Sequence, residues 1–197
     1  MKRIASIALP LALLLALLAS TAIVASRVAP SRQVATLARE PVDLPDVRLT
    51  DHHRHEAALV SELAGNDLLV VTFNYTSCQS ICGVGNAIMQ ELDRTVAPRV
   101  RRPVRLVSIT INPTVDTPDM LAEAAREWAP SARWLWTTGA AGDIDKVLRQ
   151  ANARTADIEL HELVFIVGDG MRKDFRRVPV NEATVSGIAA ALDGYGS

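Results

Sequence analysis

The sequence predicts an α/β domain with a central mixed sheet flanked by helices, and three observations carry that reading. Apolar runs of strand length alternate with helix-length patterns along most of the chain. The runs are rich in β-branched and aromatic residues, as in strands that are covered and largely buried. Near the C-terminus a Gly-Asp-Gly step joins two strand-like segments, so a β-hairpin adds an antiparallel edge.

In chain order, Leu69 to Tyr75 (LVVTFNY) reads as the first buried strand. A cysteine-bearing segment follows, then a helical pattern from Val84 to Val96. Val104 to Ile111 (VRLVSITI) is the second strand. Pro118 to Trp128 reads as a helix with Thr117 as N-cap, Asp116 sharing in the cap and proline in the first turn. Trp134 to Thr137 is the next strand; its two tryptophans alternate, share a face and pack against a helix. A helix over Ile144–Ala151 and a strand over Leu163–Val167 follow. Gly168-Asp169-Gly170 then turns the chain into a strand within Met171–Val178, and Glu182–Leu192 forms the last helix. There is no internal repeat.

The length of 197 residues suits one domain. Its 21 Lys+Arg against 22 Asp+Glu leave a formal charge of −1, without the basic excess that attracts phosphate, which argues against nucleic acid as a partner. The mean hydropathy of +0.15 is high for a soluble chain, and the excess sits at the start. Lys2 and Arg3 precede an uncharged apolar stretch, Ile4 to Ser26, which ends at Arg27. This is the pattern of an export signal, with the positive end kept in the cytoplasm. Residues 1–26 therefore read as a signal peptide or an N-terminal membrane anchor. Small residues at Ser20, Ala22 and Ala25 offer a peptidase sites, while the run is long enough to cross a bilayer core of about 30 Å. The retained anchor is the preferred reading. No cysteine lies near this segment, so lipid attachment at a signal cysteine is excluded. Residues 27–41, with Pro30 and Pro41, read as a linker, and residues 42–197 as the domain, placed on the periplasmic or extracytoplasmic side.

Cys78 and Cys82 follow the first buried strand and lead into a helix. Four residues apart on a helix start, their Cα atoms lie about 6 Å from each other, close enough for a disulfide or a shared metal ion. The helix N-terminus favours thiolate, since its unpaired N–H groups and dipole stabilise negative charge. A purely stabilising disulfide would close too short a loop to constrain the unfolded chain much. Structural zinc normally takes four ligands, and no second cysteine pair exists. Two thiolates with one imidazole suit a soft ion, above all Cu(I). His161, just before the LVFIV strand, is positioned to reach the same sheet edge as the cysteines, although a lone histidine is more often structural. His52, His53 and His55 form a loop cluster that reads as solvated. Arg94, Arg99, Arg101, Arg102 and Arg105 likewise read as a solvated basic stretch.

Several segments, in order, resemble the Sco/SenC family of thioredoxin-like, membrane-tethered copper proteins. They are Phe73-Asn74-Tyr75-Thr76-Ser77-Cys78-Gln79-Ser80-Ile81-Cys82, then Ser108 to Pro118 (SITINPTVDTP), the Thr137-Thr138-Gly139 turn, and His161 ahead of Val167-Gly168-Asp169-Gly170. The resemblance runs from about Val47 to the C-terminal helix. It implies a thioredoxin-like fold and Cu(I) or Cu(II) held by Cys78, Cys82 and His161. It also implies delivery of copper, or of reducing equivalents, to the binuclear copper site of cytochrome c oxidase. The implied partners are the copper-site subunit of that oxidase or another copper acceptor, a periplasmic copper donor, and the membrane through the N-terminal segment. Family members commonly carry proline after each cysteine, where this chain has Gln79 and Gly83, and aspartate where it has Asn112.

The alternative is a thiol–disulfide oxidoreductase that reduces the cysteines of a copper acceptor, with Cys78 and Cys82 as the redox-active pair and no essential histidine. A peroxide-reducing enzyme on the same fold is disfavoured, because no threonine and arginine pattern surrounds an attacking cysteine.

Overall fold

A computed structural model describes residues 39–195. Eight strands form one sheet: β1 (Glu40–Val42), β2 (Arg48–Asp51), β3 (Glu56–Ala58), β4 (Leu68–Asn74), β5 (Val104–Thr110), β6 (Trp134–Gly139), β7 (Phe165–Asp169) and β8 (Asp174–Arg177). Four α-helices cover it: α1 (Cys82–Glu91), α2 (Pro118–Trp128), α3 (Ala141–Gln150) and α4 (Val185–Asp193). The strand order is β1-β8-β7-β4-β5-β6-β2-β3. The β4–β5 and β5–β6 pairs are parallel and the others antiparallel, so the sheet is mixed and its C-terminal hairpin is β7–β8.

All seven residues of β4 are buried, because alternate side chains enter two separate cores. Leu69, Val71 and Phe73 pack with Ile144, Val147 and Leu148 of α3. Leu68 and Val70 pack with Met89 of α1, Leu121 and Ala125 of α2, and Ile188 and Leu192 of α4. Covering both faces removes any need for polar alternation, which is why the central strands read as largely apolar runs. Trp134 and Trp136 share the second core with ring centroids 5.7 Å apart, as their alternation predicts.

The N-terminal strands are absent from the sequence reading, being short and polar. β1 begins at Glu40 and pairs with β8 at one edge, just before the expected start of the domain, while β2 and β3 form a hairpin at the other. The helix after the cysteines starts at Cys82 and gives way after Glu91 to a wider π-type turn, Leu92–Val96. Two side-chain contacts fall within that turn. The buried Asp93 carboxylate accepts from the N–H and hydroxyl of Ser131, and Thr95 Oγ1 donates back to the Glu91 carbonyl. The C-terminal turn is displaced from Gly168–Gly170: Gly168 and Asp169 remain in β7, paired with Phe175 and Asp174. Thr137–Gly139 likewise lies in β6, paired with β2, and is not a turn.

Thr117 caps α2 as expected, accepting from Met120 N, but Asp116 takes no part in that cap and points inward. Nor is the arginine stretch wholly solvated. Arg102 grips the fully buried Asp169 with both terminal nitrogens, at 2.6 and 2.9 Å, and also donates to the Asn66 carbonyl. Among the described residues no helix is long and apolar enough to cross a membrane. The apolar segment at residues 4–26 and most of the expected linker lie outside the described residues.

Candidate metal centre

The site is assembled where β4 ends and β7 begins. These strands are antiparallel neighbours, with Thr72 opposite Phe165, so the residues just before β7 lie beside those just after β4. Thr72 Oγ1 reinforces the junction by donating to the Val164 carbonyl at 3.1 Å. On the other side, Asn74 Nδ2 donates to Asn86 Oδ1 of α1 at 3.1 Å. Gly85 lets α1 approach Leu163, since a Cβ there would stand only 3.0 Å from Leu163 Cδ1.

Cys78 lies in the loop leaving β4 and Cys82 opens α1; the two are joined as a disulfide with Cα atoms 6.0 Å apart, matching the separation expected from their spacing. Cys82 is buried and Cys78 partly exposed. His161 follows a short 3-10 turn, Ile158–Leu160, whose start is capped by the Asp157 carboxylate accepting from Glu159 N. That turn places His161 Nδ1 2.9 Å from the Ile158 carbonyl. A carbonyl only accepts, so Nδ1 carries the proton and Nε2 presents its lone pair. Nε2 lies 3.3 Å from Cys82 Sγ, and the ligand atoms of Cys78, Cys82 and His161 all fall within 4.8 Å of one another. A backbone acceptor fixing the remote ring nitrogen is the usual support for a metal-binding imidazole. Tyr75 packs edge-on against the ring, with centroids 5.5 Å apart. Burial, followed by the Glu159 and Asp157 carboxylates, pushes the Tyr75 phenol up from its usual value, so it stays protonated beside the site.

Asp116, only 1% exposed, holds the cysteine loop in place. Its carboxylate accepts from Thr76 N at 3.1 Å, Thr76 Oγ1 at 2.6 Å and Thr110 Oγ1. The sequence reading missed this role, because the Asp-Thr-Pro triplet also has the form of a helix start. The signal that separates the two readings is Thr117, which already fills the cap.

The three departures fall at tolerant positions. Gln79 is exposed, and a Cβ at Gly83 would meet no atom within 4 Å. Asn112 holds its turn through the backbone, its carbonyl accepting from Val115 N and Asp116 N. The cluster of His52, His53 and His55 lies elsewhere, at the β2–β3 hairpin.

In chemical terms, two sulfurs and one lone pair converge at a partly open end of the central strands. As a disulfide the sulfurs form a bond with each other; reduced, they supply two thiolates for a soft ion or for exchange with another disulfide.

Among curated proteins no sequence matches this chain. Solved structures do. BsSco, a member of the Sco family of cytochrome c oxidase assembly proteins, aligns with a TM-score of 0.66 at 19% identity, over 80% of this chain and 95% of its own. ScoI of Arabidopsis thaliana with copper bound aligns at 0.64 and 16% identity, over 81% and 98%. Yeast Sco1 with copper bound aligns at 0.61 and 18% identity, over 81% and 92%. At these identities the likeness is one of fold, and it is the thioredoxin-like fold of Sco structures. The family model described as SCO1/SenC matches residues 45–163, a span that includes both cysteines, Asp116 and His161. On that match, which covers more than half of the sequence, the chain belongs to the SCO1/SenC family.

Proposed function

We propose that this chain binds copper, Cu(I) or Cu(II), through Cys78 Sγ, Cys82 Sγ and His161 Nε2, and that it delivers copper to, or prepares, the binuclear copper site of cytochrome c oxidase. The observation that carries the reading is the convergence of the three ligand atoms within 4.8 Å, with Nδ1 of His161 tied back to the Ile158 carbonyl. The copper-bound relatives from Arabidopsis thaliana and yeast support it. Loading requires the disulfide to be opened first: an external dithiol supplies two electrons and two protons by thiol–disulfide exchange and is itself oxidised to a disulfide, and the two thiols so formed lose their protons to the solvent as the thiolates bind the ion. The sulfur-rich set favours Cu(I). Residues 1–26 would tether or export the chain, residues 27–41 would space it from the membrane, and residues 42–197 would act on the extracytoplasmic side, where a periplasmic donor supplies the metal.

A second reading, as a thiol–disulfide oxidoreductase, is favoured by the disulfide itself and by the unequal exposure of its cysteines. Once the pair is reduced, the partly exposed Cys78 would attack a client disulfide, and the buried Cys82 would resolve the mixed disulfide, leaving the client reduced and this chain oxidised.

Copper titration of the reduced chain, wild type beside Cys78→Ser and His161→Ala, decides between them. One copper per chain with thiolate-to-copper charge-transfer absorption, lost in both variants, supports copper binding. Failure to bind stoichiometric copper, or an unchanged spectrum in His161→Ala, overturns it. Retained reduction of a client disulfide by His161→Ala would favour the second reading.

A further inference from the structure

The β2–β3 hairpin carries His52, His53 and His55 next to Asp51. Asp51 is buried and closes the turn: its Oδ1 accepts from the backbone N–H of His53 at 2.8 Å and of His55 at 2.9 Å. Arg54, at φ 67°, reverses the chain between the two histidines, and its guanidinium is drawn aside to Asp119 at 2.6 Å. With Oδ1 committed, Asp51 Oδ2 stands 3.6 Å from His55 Nδ1. That is too long for a hydrogen bond, and it is close to the roughly 3.3 Å that separates two ligand atoms on a tetrahedral ion. The His53 ring centroid is 6.3 Å from that of His55 and 3.9 Å from that of His52, so His53 must swing off His52 to share an ion with His55; both rings are exposed, which leaves them room to turn.

His52 is different. Its Nδ1 accepts from Trp136 N at 3.2 Å, which uses its lone pair and puts the ring proton on Nε2. It therefore serves the sheet and is not counted as a ligand.

We propose that His53, His55 and Asp51 Oδ2 form a second metal site, for a divalent first-row transition ion. Two imidazoles and a carboxylate are a borderline-hard set that suits Cu(II), Zn(II) or Ni(II), in contrast to the soft sulfur pair of the first centre. Three strands, β4, β5 and β6, separate β2 from β7, so the two centres share no ligand. The site is independent of the function proposed above.

The test uses the full-length chain with Cys78→Ser and Cys82→Ser, which removes the sulfur ligands, and Cu(II) as the probe. Equilibrium dialysis is expected to show one Cu(II) per chain, with nitrogen hyperfine structure in its electron paramagnetic resonance spectrum. Adding His53→Asn and His55→Asn to that background is expected to weaken binding by at least about tenfold and remove the nitrogen signal. Adding His161→Ala instead is expected to leave both unchanged. The proposal is overturned if the double-serine chain takes up no Cu(II), if binding survives loss of His53 and His55, or if it is lost with His161.

Discussion

Asp116 holds Thr76 by two hydrogen bonds, one to its backbone N–H and one to its hydroxyl, and Thr76 stands two residues ahead of Cys78. The buried carboxylate thereby ties the loop after β4 to the loop after β5, and the position of the first sulfur depends on a residue that never touches it. Asp116→Ala leaves three buried or half-buried donors without their acceptor and is expected to cost about 3 kcal/mol of stability. Asp116→Asn is expected to cost less, since its amide oxygen still accepts. Urea unfolding measures both. Hydrogen exchange is expected to quicken at residues 76–82 in each variant while α3 stays protected.

The ion pair between Arg102 and Asp169 is expected to make the fold acid-sensitive. The Arg102 hydrogen bonds, followed by those from Arg172 N and Met171 N, hold the Asp169 carboxyl below its usual 3.8 despite the opposing effect of burial. A carboxylate whose folded pKa is depressed adds stability that is complete above its unfolded pKa and is lost as pH falls through the folded value. Unfolding midpoints measured from pH 7 down to pH 2 are expected to show this loss, and Asp169→Asn to flatten it. At neutral pH the same substitution is expected to cost about 3 kcal/mol, because Arg102 loses its charged partner.

The paired tryptophans are expected to respond unequally. Trp134 Nε1 donates to Ser108 Oγ at 2.9 Å, whereas Trp136 Nε1 is buried without an acceptor. Replacement by phenylalanine removes a satisfied donor in one case and an orphaned one in the other. Trp134→Phe is therefore expected to be the more destabilising by about 1 kcal/mol in thermal or urea unfolding.

After reduction, Cys78 is expected to react with iodoacetamide at least about tenfold faster than Cys82, since the reactive thiol must be reachable. Cys82 is only 5% exposed and faces His161. Mass spectrometry of the modified peptides gives the ratio, and equal rates would contradict the buried placement of Cys82.

Much of this architecture is legible in the chain because burial on both faces leaves a plain mark. The strands at β4, β5, β6 and β7 are mostly apolar and almost wholly buried, and Thr117 with Pro118 marks the start of α2 to the residue. The N-terminal strands leave no such mark: Glu-Pro-Val and Arg-Leu-Thr-Asp are recruited by β8 and β6, far along the chain, and Glu-Ala-Ala only by the hairpin it forms with β2. At the metal centre, the Cys78–Cys82 spacing is local and its geometry follows from helical periodicity. His161 is 79 residues beyond Cys82, and its pairing depends on the β4–β7 register. Asp116 stayed hidden because a helix start and a loop anchor can be written with the same three letters.

That long separation between sulfur and imidazole also orders events in time. Cys78 and Cys82 are neighbours as soon as their short segment exists, but the third ligand arrives only when β7 docks against β4, a pairing of high contact order and late entropic closure. An ion that needs all three ligands thus meets a finished scaffold. It would raise the stability of the folded chain by mass action without acting as its nucleus, and the apoprotein is expected to fold unaided.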